Sequence, residues 1–305
     1  MAIRGLITVC LMVWLAGSAG AQDFLELDLD GGPEVRARLI AKETALTPGR
    51  TATVGLWLQM KPGWHTYWQN PGESGLATTL EWELPPGYEA GPIDWPAPQY
   101  FAVGGLGSYG YERQIVLPVT INVPADAAPS ADADPVTLRA RADWLVCREV
   151  CKAGGADLNL TLPLLHDADA VEPDPQHLEL FEHAERRQPV ASPSGGLQAY
   201  AGDEGIELSI NPQHWPEPSA IASAPVRYFP DRPLVIDMSA DQTLIRRDDP
   251  PGLRLQLPWS RQSSRPDRLT GVLVVGDVED GRAYRVDLPL VDAALPTSAD
   301  PPTSP

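Results

Sequence analysis

From Val136 to Cys147 the chain alternates between apolar and polar residues. Val136, Leu138, Ala140, Ala142, Trp144 and Val146 hold one parity; Thr137, Arg139, Arg141 and Asp143 hold the other. Successive strand side chains point to opposite faces of a sheet, so this pattern predicts a strand with one face in a core and the other in water. Cys147 closes the run on the polar parity, which predicts a sulfur that solvent can reach.

Shorter runs of the same kind recur. Glu34 to Lys42 places Val35, Ala37, Leu39 and Ala41 on one face, and Thr51 to Met60 reads the same way. Further strands are expected at Trp64–Trp68, Thr78–Leu84 and Gln114–Val123, the last with Pro118 in its middle, which argues for an edge or a bulge. Beyond residue 196 they are expected at Gly205–Ile210, Val226–Phe229, Leu234–Met238, Gly252–Leu257, Leu269–Val275 and Ala283–Leu290. With 33 prolines and 26 glycines in 305 residues, long helices are disfavoured and short strands with many turns are favoured. One helix is expected, Asp174 to Arg187. Asp174 suits its cap, Pro175 its first turn and Arg186 and Arg187 its last, with Leu178, Phe181 and Ala184 as a narrow buried stripe.

The fold class is therefore mainly β. A β-sandwich is expected through residues 22–170, a helix and linker through 171–196, and a second β-rich, sandwich-like domain through 197–292. The Pro-, Ser-, Thr- and Asp-rich tail 293–305 reads as disordered. Residues 1–21 read as a secretory signal: a single cation at Arg4, an apolar run from Gly5 to Ala16, and small residues before a cleavage point after Ala21. The run is shorter than the roughly 20 residues a membrane span needs, and no other stretch approaches one. The chain is thus expected to be exported, with no transmembrane segment once mature. Its formal net charge of −18 argues against nucleic acid or an anionic membrane as partner.

Export removes Cys10 and leaves Cys147 and Cys151, in Trp144-Leu-Val-Cys-Arg-Glu-Val-Cys151. An extended chain would hold them about 13 Å apart, whereas a disulfide needs Cα atoms roughly 4.4–6.8 Å apart. A bond therefore requires a turn between them. Such a small loop stabilises a fold by only about 2 kcal/mol. Three uses stay open: reversible electron exchange, a static local staple, and capture of a soft metal such as Cu(I), which suits thiolates. Arg148 and Lys152 flank the pair and favour thiolates, while Glu149 opposes them. Lys152 to Ala156 reads as a turn, after which Leu158, Leu160, Leu162 and Leu164 alternate in the next strand.

The cysteine segment, together with Gly63-Trp-His-Thr-Tyr-Trp-Gln-Asn-Pro-Gly-Glu-Ser-Gly-Leu76 and Tyr109-Gly-Tyr111, resembles the amino-terminal periplasmic region of DsbD-type thiol:disulfide interchange proteins, on the branch that includes ScsB, the suppressor-of-copper-sensitivity relative. The resemblance is strong from about Glu34 to Pro163 and weaker beyond, where Arg227-Tyr-Phe-Pro230 and Gly252-Leu-Arg-Leu255 also fit. It implies an immunoglobulin-like sandwich in the periplasm and a protein-disulfide reductase type of activity without a cofactor. Cys147 and Cys151 would be the redox pair, with Cys151 attacking and Cys147 resolving. The implied partners are periplasmic thioredoxin-like proteins. The sequence shows no transmembrane electron-carrying domain and no terminal thioredoxin domain, so a separate membrane-embedded donor is expected.

The glycine-rich stretch Gly104 to Tyr111 opens no helix, which excludes a nucleotide-phosphate loop. It is either a lid over the sulfurs, favoured by the resemblance, with Phe101, Tyr109 or Tyr111 shielding them, or a hairpin whose aromatics pack on the sheet. Trp144 is a further supporting aromatic. Among Trp64, His65, Tyr67 and Trp68, parity sets His65 and Tyr67 apart from Trp64 and Trp68, so one pair belongs to the core and the other borders the active face. His65 is either a general base or a satisfied structural histidine. His166, His177, His183 and His214 show no ligand spacing, and no hydrolase motif is present.

Overall fold

The computed structural model describes residues 33–103, 105–127, 135–248, 251–263, 265–277 and 281–292. The expected signal segment 1–21 and the expected tail 293–305 lie outside these residues. Among those described, no helix is long and apolar enough to cross a membrane.

The first part is a sandwich of ten strands: β1 (Val35–Ala41), β2 (Thr51–Met60), β3 (His65–Gly72), β4 (Thr79–Glu83), β5 (Glu89–Ile93), β6 (Gln99–Val103), β7 (Leu106–Glu112), β8 (Gln114–Asn122), β9 (Val136–Cys147) and β10 (Cys151–Leu162). A four-stranded sheet runs β1-β2-β8-β5 and a six-stranded sheet runs β10-β9-β3-β7-β6, with β4 also paired to β9. Leu39, Val54, Val119 and Ile121 of the first sheet meet Leu138 and Ala140 of β9 in one buried cluster. Removing such side chains from water is the main force holding the sheets face to face. The alternation of β9 does this directly: Leu138, Ala140, Ala142, Trp144 and Val146 are buried while Arg139, Arg141 and Asp143 are exposed.

Of the two alternatives for Pro118 the bulge holds and the edge does not, and one further expectation fails, each for an identifiable reason. Pro118 does not lie on an edge. It sits in β8, between β2 and β5, opposite Gly55. The lost N–H is accommodated because β5 slips register beside it, between Ala90 and Ile93. Lys152 to Ala156 is not a turn. These residues pair with Val146 to Ala142, and the reversal is confined to residues 148–150. Gly154 faces Trp144, and a Cβ there would fall 2.5 Å from the indole Nε1. The glycine makes room for the tryptophan in the strand.

The helix, α1 (Leu178–Arg186), is shorter than expected. Asp174 accepts from the Gln176 N–H in the turn before it. Phe181 and Ala184 pack on Ile40, Trp57 and Val116, while Leu178 is only half-buried. The expected linker carries β11 (Val190–Ala191), which pairs in parallel with residues Tyr284 and Arg285. The second β-rich part contains β12 (Leu197–Ala201), β13 (Gly205–Ile210), the short helix α2 (Pro218–Ser223), β14 (Val226–Pro230), β15 (Thr243–Asp248), β16 (Pro251–Pro258), β17 (Arg268–Val275) and β18 (Arg282–Val291). Its strands run β14-β17-β18-β12-β13-β16-β15, and the buried residues of both halves of this sheet belong to one core cluster. The expected strand Leu234–Met238 does not form. Leu234 has a positive φ of 61°, and only Ile236 makes a bridge, to Trp259. Val235, Ile236 and Met238 are buried as a loop.

The two parts meet along β3. Phe229 of β14 sits edge-on to Trp68 and Tyr109, with ring centroids 6.5 and 5.0 Å away. The Asn70 amide donates to the Pro230 carbonyl at 2.7 Å, and the Gln69 amide donates to the Asp231 carboxylate at 2.9 Å.

Candidate functional site

Cys147 ends β9 and Cys151 begins β10, and the two form a disulfide. They are direct register partners in the hairpin, with Cα atoms 4.1 Å apart. The tight reversal Arg148-Glu149-Val150 brings them together, as the spacing required. Their environments differ. Cys147 is 1% exposed, whereas Cys151 is open to solvent. The polar parity of Cys147 therefore does not give a reachable sulfur. β9 ends against β3, and His65 lies directly opposite Cys147 across that pairing. Neighbours from β3 cover the sulfur.

Tyr67, two residues beyond His65 on the same face, donates its hydroxyl to Cys147 Sγ at 2.8 Å and lies 3.7 Å from Cys151 Sγ. Burial pushes the phenol above its ordinary range, so the hydroxyl keeps its proton and remains a donor. Gly75 closes over the ring of Tyr67. Its φ is 108°, and a Cβ there would fall 2.2 Å from the ring. Tyr67 is the site residue that parity left unresolved, since the sequence separates His65 and Tyr67 from Trp64 and Trp68 without showing which pair faces the sulfurs.

His65 is 4% exposed. Its ring stacks on Phe101 at 4.6 Å and 10°, and meets Tyr67 edge-on at 5.4 Å. Burial pulls the imidazole below its ordinary range and so keeps it neutral. Its Nε2 is buried without a hydrogen-bond partner.

The aromatics of the glycine-rich hairpin divide. Phe101, half-buried on β6, is the one that stacks on His65, the cross-strand partner of Cys147. Tyr109 and Tyr111 are each 1% exposed and belong to the core. Tyr109 packs between Trp68 and Phe229, and Tyr111 donates to the Pro96 carbonyl at 2.6 Å. Neither forms a lid, because β7 is an inner strand and turns both rings into packed layers. Trp144 is also core, lying over Gly154 on the parity opposite Cys147.

The flanking cations have carboxylate partners of their own. Lys152 pairs with the Glu34 carboxylate, which it holds below the usual carboxylate range, and its ammonium sits 5.2 Å from the Trp64 ring centroid. Arg148 lies 4.0 Å from Glu149 at the exposed reversal. Among the described residues no group of three or more His, Cys, Asp and Glu comes together, so a Cu(I) ion at this place would have the two sulfurs as its protein ligands.

A buried cysteine under a phenolic donor, joined to an exposed cysteine across a three-residue reversal, is an arrangement suited to thiol exchange. Residues 36–163 match the family described as thiol:disulfide interchange protein DsbD, N-terminal. No curated protein matches the chain. Among solved structures, the N-terminal periplasmic domain of ScsB from Proteus mirabilis is similar, with 19% identity, a TM-score of 0.56, and coverage of 85% of this chain and 95% of that one. At that identity the likeness speaks for the fold alone: the immunoglobulin-like sandwich of the DsbD N-terminal domain followed by further β structure. The sporulation control protein Spo0M from Bacillus subtilis matches at 10% identity over 84% of this chain and 91% of its own, with a TM-score of 0.22, which carries no argument.

Proposed function

We propose that this protein is a periplasmic thiol:disulfide oxidoreductase. It passes reducing equivalents through Cys147 and Cys151 to disulfides of exported thioredoxin-like proteins. The observation that carries this reading is the unequal exposure of two bonded sulfurs in a segment that matches the DsbD N-terminal family: one reachable, one covered.

In the reduced protein the exposed Cys151 thiolate attacks a partner's disulfide. A Cys151–partner bond forms and the partner's second sulfur leaves as a thiolate. Cys147 then attacks the Cys151 sulfur, the Cys147–Cys151 bond forms, and the partner departs with both cysteines reduced. Two electrons move and one disulfide replaces another. Tyr67 stabilises Cys147 as a thiolate, since a hydrogen bond to the charged form favours it. Phe101 and His65 cover the pair between encounters and limit reaction with unspecific thiols. A membrane-embedded electron donor re-reduces the pair. The signal-like segment 1–21 supports export.

The test is to equilibrate the protein in graded thiol buffers, alkylate it, and read its mass. A midpoint well above about −300 mV is expected for an exchanging couple. A pair that stays oxidised in buffers poised below that value marks a structural staple and contradicts the reading.

A further inference from the structure

We propose that His65 is the proton acceptor for Cys147 in the resolving half of the exchange, an inference that rests on the function proposed above. Before Cys147 can attack, its thiol must lose a proton. Cys147 is 1% exposed, so bulk water is not beside it to take that proton. The acceptor must come from the residues that cover it.

The register supplies one. His65 of β3 lies directly opposite Cys147 of β9. Directly opposed residues put their side chains on the same face, with Cβ atoms about 4.5–5.5 Å apart. When the disulfide opens, the Cys147 sulfur is free to rotate about its side-chain bond on the face it shares with the imidazole. His65 Nε2 is buried and has no hydrogen-bond partner while the pair is oxidised. A disulfide sulfur carries no proton to offer, whereas a thiol does. The orphaned nitrogen thus gains its partner only in the reduced state.

Among the described residues around this place, the others are poorly suited to accept the proton. Tyr67 keeps its proton and already donates to Cys147. Phe101, stacked on the imidazole, fixes the ring plane and has no proton chemistry. Glu112 of β7 is the cross-strand partner of His65 on its other side and is exposed. Arg148 is a cation at the exposed reversal, and Lys152 is paired with Glu34. Burial holds the imidazole neutral at pH 7, the form that can accept.

The step balances. The Cys147 S–H gives its proton to His65 Nε2, and the thiolate attacks Cys151 of the mixed disulfide. The Cys147–Cys151 bond forms as the Cys151–partner bond breaks. The imidazolium returns the proton to the departing partner thiolate. His65 ends neutral, as it began.

The experiment uses the full chain, reduced, and a chromogenic aromatic disulfide. Attack by Cys151 releases one coloured thiolate, and resolution by Cys147 releases the second. In His65→Gln the second phase is expected to slow at least about tenfold at pH 7 relative to the first phase of the same variant, and to lose its acid limb. A second phase of unaltered rate and pH profile in the variant overturns the proposal alone. Absence of both phases in the unmodified protein overturns the exchange reading and this proposal with it. Nitrogen NMR of the His65 ring in the unmodified protein checks the same point without a substitution. Nε2 should pass from free to hydrogen-bonded on reduction, and identical imidazole signals and titration in both oxidation states overturn the proposal.

Discussion

The Tyr67 hydroxyl donates to Cys147 Sγ at 2.8 Å, linking β3 to the last residue of β9. The less exposed sulfur of the pair is therefore the one the donor approaches more closely, Cys151 Sγ lying 3.7 Å away. Tyr67→Phe keeps the ring and removes this bond. The Cys147 thiol pKa should rise by roughly one unit, equal to about 1.4 kcal/mol of lost thiolate stabilisation. The pH dependence of alkylation in a Cys151→Ser background reads it directly, and an unchanged profile would show that the phenol does not support the thiolate.

Gly75 holds Tyr67 in place from above. With a φ of 108° and no room for a Cβ against the ring, Gly75→Ala imposes backbone strain and pushes the tyrosine. A loss of about 1–3 kcal/mol in urea unfolding is expected, together with slower exchange. An alanine variant as stable and as active as the parent would show that the loop yields freely.

His65 ties stability to pH. Its folded pKa lies below its unfolded value of about 6.5, so the unfolded chain binds the extra proton more readily. The associated stability is fully present above pH 6.5 and is lost as pH falls from there through the folded value. The slope is at most about 1.4 kcal/mol per pH unit for one group. Urea midpoints of the parent and of His65→Gln, measured from pH 8 to pH 5, should diverge only on the acid side. Parallel curves would mean that the imidazole is not held neutral by the fold.

Phe229 joins the second β-rich part to β3, the strand that carries His65 and Tyr67. It is 3% exposed, and Phe229→Ala leaves a cavity between Trp68 and Tyr109. A cost of about 3–5 kcal/mol is expected, visible as a lower urea midpoint. A cost below about 1 kcal/mol would show that the two parts hold together without this contact.

Much of this was legible in the sequence, and the failures have physical causes. The parity of β9 read correctly because burial on one face fixes every second residue. The reversal between the cysteines followed from the reach of the chain. The parity of Cys147 misled because its cover comes from His65 and Tyr67 on another strand, a contact that no local period encodes. Gly154 and Gly155 look like a turn by composition, yet Gly154 is there for close approach by Trp144. Tyr109 and Tyr111 look like lid residues because glycines surround them, but β7 is interior and turns them into the core. Leu234–Met238 is apolar enough for a strand and is buried as a loop instead. Long-range neighbours decided each of these.

The most direct measurement is a trapping experiment with single-cysteine variants and an oxidised thioredoxin-like protein. Cys147→Ser leaves the exposed Cys151 and should accumulate a stable mixed disulfide, visible by mass. Cys151→Ser leaves only the covered Cys147 and should form it at least about tenfold more slowly. Equal trapping by the two variants, trapping only through Cys147, or none by either would contradict an exchange that begins at Cys151 and ends at Cys147.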